Sequence, residues 1–303
     1  MWEVAFAKPN GGRMSVFDNF RGAAIAGVAV LFVQSADAAC LDETVVAGLV
    51  AGYPTAPVTG IPADLSLDDA YCTQAKYVAH LRKSLGEPIG YKVGFTGKAT
   101  QERFGIPNPA MGVLFEPMFI ANGGAIELGF GHRTIIEPDL MVIVKDDGIM
   151  SATTELEAAA HLSSIHAFME LAAIQFAKDE KLTGPGVVAL NMVATRMVMG
   201  PGVPVEATPA FVQAMADMET VFTDETGAVI QTAPGSTLLG NPLRVVLWLV
   251  DEMKRRNETL KAGDRLSLGS VGKLFPLKES GKTYTYTLNG LPGGPIATSV
   301  HID

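Results

Sequence analysis

Two textures of apolar and polar positions succeed one another along this chain. From Leu41 to Leu85 apolar residues recur every three or four positions, which predicts amphipathic helices. The pattern gives one helix over Leu41–Ala51 and a second over Ser66–Leu85, joined by a Pro/Gly-rich link, Tyr53–Pro62. Ser66 is the expected N-cap of the second, Asp68 and Asp69 complement the positive end of its dipole, and Gly86 closes it.

From Pro88 the helical period gives way to short apolar runs between glycines and prolines. Strands are expected over Ile89–Val93, Met118–Ile120, Ile135–Val144, Phe168–Ile174, Val193–Met199, Val221–Thr223, Arg265–Leu268 and Thr283–Leu288. Helices are expected only over Glu155–Ile165, Pro209–Met218 and Pro242–Asn257. Many strands and few helices predict an α+β fold with a large, mostly antiparallel core. Three divisions follow: residues 1–38, a helical part over 39–87, and a β-rich part over 88–303. The chain has no internal repeat, no P-loop, no strand–GxGxxG–helix unit and no Gly-x-Ser-x-Gly elbow.

The first division has a pattern of its own. Arg21 precedes the apolar run Ala23–Val33, and Ala36-Asp37-Ala38-Ala39 follows. A basic residue, a short apolar core and an Ala-x-Ala site predict a secretory signal peptide, with Met14 as a second possible start. The run is too short for a bilayer span, which takes about 20 residues. Export would place Cys40 and Cys72, the only two cysteines, in an oxidising compartment where they can pair; two buried thiols are the alternative. The predicted location is periplasmic or secreted, with no membrane contact once the signal is removed. A net charge of −9 argues against nucleic acid, whose binding needs lysine and arginine to neutralise phosphates.

Two segments could carry chemistry. Glu137 and Asp139, spaced i, i+2 in Ile136–Val144, share one face of a predicted strand. Buried charges are costly unless paired or bound to metal. Glu170 lies in a similar apolar setting, so three carboxylates could form a hard-oxygen site for Mg²⁺ or Mn²⁺. Spacing alone leaves open a solvated strand end for the first two and a helix-surface carboxylate for Glu170. The second segment, Gly90-Tyr91-Lys92-Val93-Gly94-Phe95-Thr96, sets a lysine in an apolar strand. Lys92 is either a snorkelling side chain or a cation and acid/base for an anionic substrate. Gly235–Leu243 leads into a predicted helix whose first amides could face an anion. The five histidines are expected at the surface, with His132 able to support the acidic pair.

The ordered set Gly90–Thr96, Gly112–Phe115, Glu137-x-Asp139, Glu170, Leu239-Gly240-Asn241-Pro242 and Leu260-x-x-Gly263-Asp264 resembles the 2-keto-4-pentenoate hydratase / 4-oxalocrotonate decarboxylase family of the fumarylacetoacetase-like superfamily. The resemblance implies a fumarylacetoacetase C-terminal-like mixed β-roll over 88–303 with a smaller helical N-terminal part. It implies Mg²⁺ or Mn²⁺ on Glu137, Asp139 and Glu170, catalysis by Lys92 and Glu116, and substrate contacts from Asn191, Leu239, Gly240 and Asn241. The implied activity is a hydro-lyase on a small 2-oxo or 2-hydroxydienoic acid, in a homo-oligomer. Decarboxylation, C–C hydrolysis and an exported non-catalytic oxo-acid-binding role are the alternatives. Three positions depart from the family pattern: Asp139 stands for a glutamate, Pro117 for an acidic residue and Val193 for a polar one. The implied acid/base surroundings are therefore altered.

Overall fold

The computed structural model describes residues 40–303; the segment predicted above to be a signal peptide lies outside them. Helix α1 (Glu43–Ala51) and α2 (Leu67–Leu85) come first, and the Ser66 hydroxyl caps α2 by accepting from the Asp69 amide at 3.1 Å. β1 (Pro88–Gly94), α3 (Lys98–Phe104), β2 (Ala110–Phe115), β3 (Phe119–Ile120) and β4 (Ala125–Ile126) lead to the long strand β5 (Thr134–Val144). Next come α4 (Glu155–Ala160), β6 (Leu162–Ala173), α5 (Gly184–Ala189), β7 (Arg196–Pro204) and α6 (Pro209–Asp217). β8 (Glu219–Thr223), β9 (Val229–Pro234), α7 (Pro242–Arg255), β10 (Arg265–Ser267), β11 (Phe275–Pro276), β12 (Lys282–Asn289) and β13 (Ile296–Ile302) complete the chain.

The strands form two sheets. The larger runs β2-β1-β10-β5-β6-β7-β3, with β11 also on β5; the smaller runs β4-β13-β12-β8-β9. Pairing is antiparallel except at β1–β10, β3–β7 and β13–β4. Alternation along β5 decides what each face of the larger sheet covers. Ile136, Leu140 and Val142 join a core shared with Tyr286 and Val300 of the smaller sheet and with Val246 and Leu249 of α7. Ile135 and Met141 point the other way, into a core with Val46 of α1, Tyr77 and Leu81 of α2 and Val188 of α5. Each fully buried side chain of this size stabilises by about 1.5–3 kcal/mol. Glu137 and Asp139, odd-numbered like Ile135 and Met141, therefore face the helices.

Two features tie the N-terminal part down. A disulfide joins Cys40 to Cys72, with Cα atoms 5.5 Å apart. The Leu41 amide also donates to Thr73 Oγ1 at 3.0 Å, and Lys76 Nζ donates to the Leu41 carbonyl at 2.6 Å. No helix among the described residues is long and apolar enough to cross a membrane.

The predicted helix Glu155–Ile165 is corrected. The Thr154/Glu157 capping box starts a helix, but it ends at Ala160 and β6 begins at Leu162. Pairing of Leu162–Ile165 with Val142–Val144 of β5 outweighs local helix propensity. Predicted strand Val193–Met199 starts instead at Arg196, because Val193 belongs to a left-handed turn. Strands β2, β9 and β13 and helices α3 and α5 lie in segments where no element was expected.

Candidate active site

Lys92 sits mid-strand on β1 and is only 3% exposed. The glycines around it have separate reasons. A Cβ at Gly90 would lie 1.9 Å from the Arg265 carbonyl oxygen, so only glycine lets β1 pair with β10 there. A Cβ at Gly94 would meet the Met192 methyl at 2.5 Å. Lys92 Nζ donates to Glu170 Oε1 at 2.5 Å and to the Met192 carbonyl at 3.0 Å. It also touches Glu170 Oε2, which is buried and has no hydrogen-bond partner among the described residues.

Glu170 is fully buried and directly opposes Glu137 in the β5–β6 register. Glu137 is half-buried and, with Lys92, lines a cavity of about 550 Å³. Asp139 is buried behind them and already engaged. Its Oδ2 accepts from Ser267 Oγ at 2.5 Å, and its Oδ1 accepts from the Leu140 and Leu268 amides at 2.5 and 3.2 Å. Burial pushes the Asp139 carboxyl up to about 7 despite those bonds. Burial alone would pull the Lys92 amine down, but the Glu170, Glu137 and Asp139 carboxylates outweigh it and hold Lys92 above the ordinary lysine value. Lys92 is therefore a buried ammonium.

The donor set suits a hard divalent cation in type. Glu137 has no ion-pair partner among the described residues, and Glu170 Oε2 has no hydrogen-bond partner. Mg²⁺ is commonly held by one or two carboxylates plus water and substrate oxygens. The three acidic residues nonetheless do not converge on one point: among the described residues no group of three such side chains is arranged to hold a metal. In this arrangement the Asp139 carboxylate is bonded to Ser267 and two amides, and Glu170 is paired with Lys92.

The other predicted residues lie elsewhere. Glu116 is exposed, pairs with Arg265 at 3.0 Å and does not line the cavity. Asn191 is buried and uses both ends of its amide on one residue: Oδ1 accepts from the Val113 amide at 2.7 Å, and Nδ2 donates to the Val113 carbonyl at 2.9 Å. Asn241 caps α7, with Oδ1 accepting from the Leu243 amide at 2.9 Å and Nδ2 donating to the Val212 carbonyl at 2.8 Å. Leu239 and Gly240 form a left-handed turn before it, with φ of 51° and 82°. None of the three lines the cavity; Thr237 does. The Leu243 amide of the α7 N-terminus, considered above for an anion, serves the Asn241 cap. The histidines are partly exposed, and none lines the cavity.

The structure adds residues that the sequence did not single out. Ser267 fastens Asp139, and the Met192 carbonyl holds Lys92. Thr96 and Ser270 bring hydroxyls to the cavity, and the Ser270 Oγ is buried without a partner among the described residues. Arg103 of α3 and Lys273 bring cations. Asn191, Met192 and Val193 hold φ of 54°, 54° and 52° in succession, each costing on the order of 1–3 kcal/mol for a residue with a Cβ. One signal was available: Ser267 is the lone polar residue in the apolar run Leu266–Leu268.

No family model matches the chain. A 2-keto-4-pentenoate hydratase of Burkholderia vietnamiensis is 30% identical over 217 residues, covering 70% of this chain and 78% of that one. The chain belongs to the 2-keto-4-pentenoate hydratase / 4-oxalocrotonate decarboxylase family. A second member, from Paraburkholderia xenovorans, is 27% identical over 243 residues, covering 79% of this chain and 87% of its own. The family fold is present too. The 4-oxalocrotonate decarboxylase from Pseudomonas putida G7, complexed with magnesium and adipate, superposes with a TM-score of 0.73 at 21% identity, covering 88% of this chain and all of that one. The architecture described above is thus fumarylacetoacetase-like, and the chain joins a family of enzymes whose solved relatives hold divalent metals.

Proposed function

We propose that this chain is a divalent-metal-dependent hydro-lyase acting on a small 2-hydroxydienoic acid such as 2-hydroxypenta-2,4-dienoate. The observation that carries the reading is the Glu137/Glu170 pair beside the Lys92 ammonium, with Glu137 and Lys92 lining a mainly apolar cavity. Glu137, Glu170 and Asp139 would hold Mg²⁺ or Mn²⁺, Asp139 after exchanging its bond to Ser267. The metal's contribution is Lewis acidity toward the 2-oxygen and carboxylate of the substrate.

The remaining work falls to the chain's own side chains. Lys92 faces the substrate carboxylate and 2-oxygen, where a fixed cation stabilises charge that builds up on oxygen. Phe95, Phe104, Ile135 and Val187 form apolar walls that hold the diene and keep bulk water away from it. Thr96 and Ser270 orient the polar end. As the dienol becomes a ketone, the 2-hydroxyl proton leaves and C5 gains one. Water then adds across C3–C4 to give a 4-hydroxy-2-oxo acid. With Glu116 outside the cavity, Lys92 is a cavity-facing group suited to holding a proton at Nζ.

A second reading has its own support. Arg103 and Lys273 line the cavity and have no ion-pair partner among the described residues, so a second carboxylate on the substrate would be met by cations. That favours a 2-oxo diacid, with decarboxylation or C–C cleavage as the reaction. Purified protein given 2-hydroxypenta-2,4-dienoate or 4-oxalocrotonate, with Mg²⁺, with Mn²⁺ and with chelator, separates the two. Metal-dependent loss of the dienol with formation of 4-hydroxy-2-oxopentanoate supports the hydro-lyase. CO₂ release from the diacid supports the second reading. Binding of either acid without turnover leaves an oxo-acid-binding protein and overturns both.

The chain is also proposed to be exported and to act as a homo-oligomer. The Cys40–Cys72 disulfide supports export, and the family resemblance supports self-assembly. Intact mass of the protein from the periplasm tests cleavage near Ala38, and light scattering tests the assembly.

A further inference from the structure

An ammonium has three N–H donors, and two of those on Lys92 are used inside the protein, on Glu170 and on the Met192 carbonyl. Held at two points, the group cannot swing, and Lys92 is also a cavity-lining residue. The direction of its third N–H is therefore set by where the Met192 carbonyl stands. That carbonyl belongs to the left-handed turn 191–193, a conformation that side chains with a Cβ resist.

Something must hold the turn, and the structure shows what does. The Asn191 amide bonds both the N–H and the carbonyl of Val113, adding a rung to the edge of β2. Gly112 makes room beside it: a Cβ there would lie 2.8 Å from the Asn191 carbonyl oxygen and 3.0 Å from Met192 Cβ. Thr195 Oγ1 donates to the Val193 carbonyl at 2.9 Å, and the Tyr53 hydroxyl donates to the Ala194 carbonyl at 3.0 Å. A cavity wall needs no such turn, since Met192 and Val193 could line it from an ordinary loop.

We infer that Asn191 is a positioning residue that acts through the Met192 carbonyl to aim the third N–H of Lys92 into the cavity. The inference rests on the proposed role of Lys92, and it replaces the substrate contact expected for Asn191. Asn191→Asp keeps the shape and the bond from the Val113 amide but loses the donor to the Val113 carbonyl. Gly112→Ala disturbs the same turn by contact, without removing any hydrogen-bonding atom.

The test has two arms on the full-length protein with Mg²⁺. In the first, reductive methylation of Lys92 is followed by peptide mass spectrometry. Both variants should raise its rate at least about fivefold, because the released ammonium becomes mobile. Val193→Gly, which eases the turn's strain without touching the hold, should leave the rate within about twofold. In the second arm, Asn191→Asp should lower kcat about tenfold with KM within about threefold, and should cost nothing further in a Lys92→Met background. Unchanged methylation in both folded variants overturns the inference, as do losses that multiply with Lys92→Met. If the wild type turns over no dienoic acid, the proposed function fails, while the methylation arm still decides whether Asn191 holds Lys92.

Discussion

Glu137 and Glu170 stand on the same rung of the β5–β6 ladder, and only Glu170 is paired by Lys92. Carboxylates directly opposite in a sheet repel, and the Lys92 ammonium offsets that repulsion at Glu170. Glu170→Gln should weaken Mn²⁺ binding by at least about a hundredfold, measured by calorimetry or by the free-Mn²⁺ resonance signal, since a carboxamide is a far poorer ligand than a carboxylate for a hard cation. It should also cost about 3–5 kcal/mol in chemical denaturation, because Lys92 is left buried without its counter-charge. Unchanged Mn²⁺ affinity would remove Glu170 from the metal site.

Lys92→Met keeps most of the side-chain volume and removes the charge. Turnover of the dienoic acid should fall by at least about a hundredfold, the scale of a lost acid/base or charge-stabilising group. Divalent metal should bind as tightly as before or more tightly, because a cation that competes for Glu170 has gone. A loss of metal affinity would instead make Lys92 part of the metal site.

Asp139 gives the metal-free protein a definite pH dependence. Its carboxyl is raised from 3.8 to about 7, so the folded state binds the proton more strongly than the unfolded chain. Stability from this group is full below the ordinary carboxylate value and is lost as pH rises toward 7. The difference, 7 − 3.8, corresponds to about 4 kcal/mol as an upper bound. Thermal unfolding in chelator between pH 4 and 7 should show the decline, and Asp139→Asn should lessen it, the remainder coming from Glu170, whose carboxyl burial also raises. Metal affinity should rise over the same range, because the proton must leave before Asp139 can ligate.

Asn241→Ala tests the loop that the resemblance assigned to substrate. Its side chain caps α7 and does not face the cavity, so the expected loss is about 1 kcal/mol of stability, read from the denaturation midpoint, with KM unchanged. A several-fold rise in KM without loss of stability would return Asn241 to the substrate.

The Cys40–Cys72 bridge closes a sequence separation of 32 residues around α1. Cys40→Ser with Cys72→Ser, or reductant on the wild type, should lower unfolding free energy by about 3–4 kcal/mol. The two treatments should match within error in a denaturant titration; a reductant effect in the double variant would point to another cause.

Much of the site was legible because strand periodicity is local. The i, i+2 spacing placed Glu137 and Asp139 on one face, and Lys92 between glycines stood out in an apolar strand. The true start of β6 was not legible, because Leu162–Ile165 is drawn into the sheet by β5 and not by its own propensity. Nor was the role of Asn191: both its partners belong to Val113, 78 residues away, and no spacing rule connects them. The Leu239–Asn241 block marked a real turn and cap, but its distance from the cavity depends on packing of α7.

By itself the sequence determined the helical N-terminal part and the β-rich remainder, since each follows from local period and turn chemistry; it offered the residue types of a hard-oxygen site and left open whether Cys40 and Cys72 pair. Only the tertiary structure decided which of those residues meet. The β5–β6 register set Glu137 opposite Glu170, β10 brought Ser267 to Asp139, and the left-handed turn carried a carbonyl to Lys92. These are contacts between segments far apart in the chain. The balance between burial cost and ion pairing that governs the site arises only when the sheet closes around it.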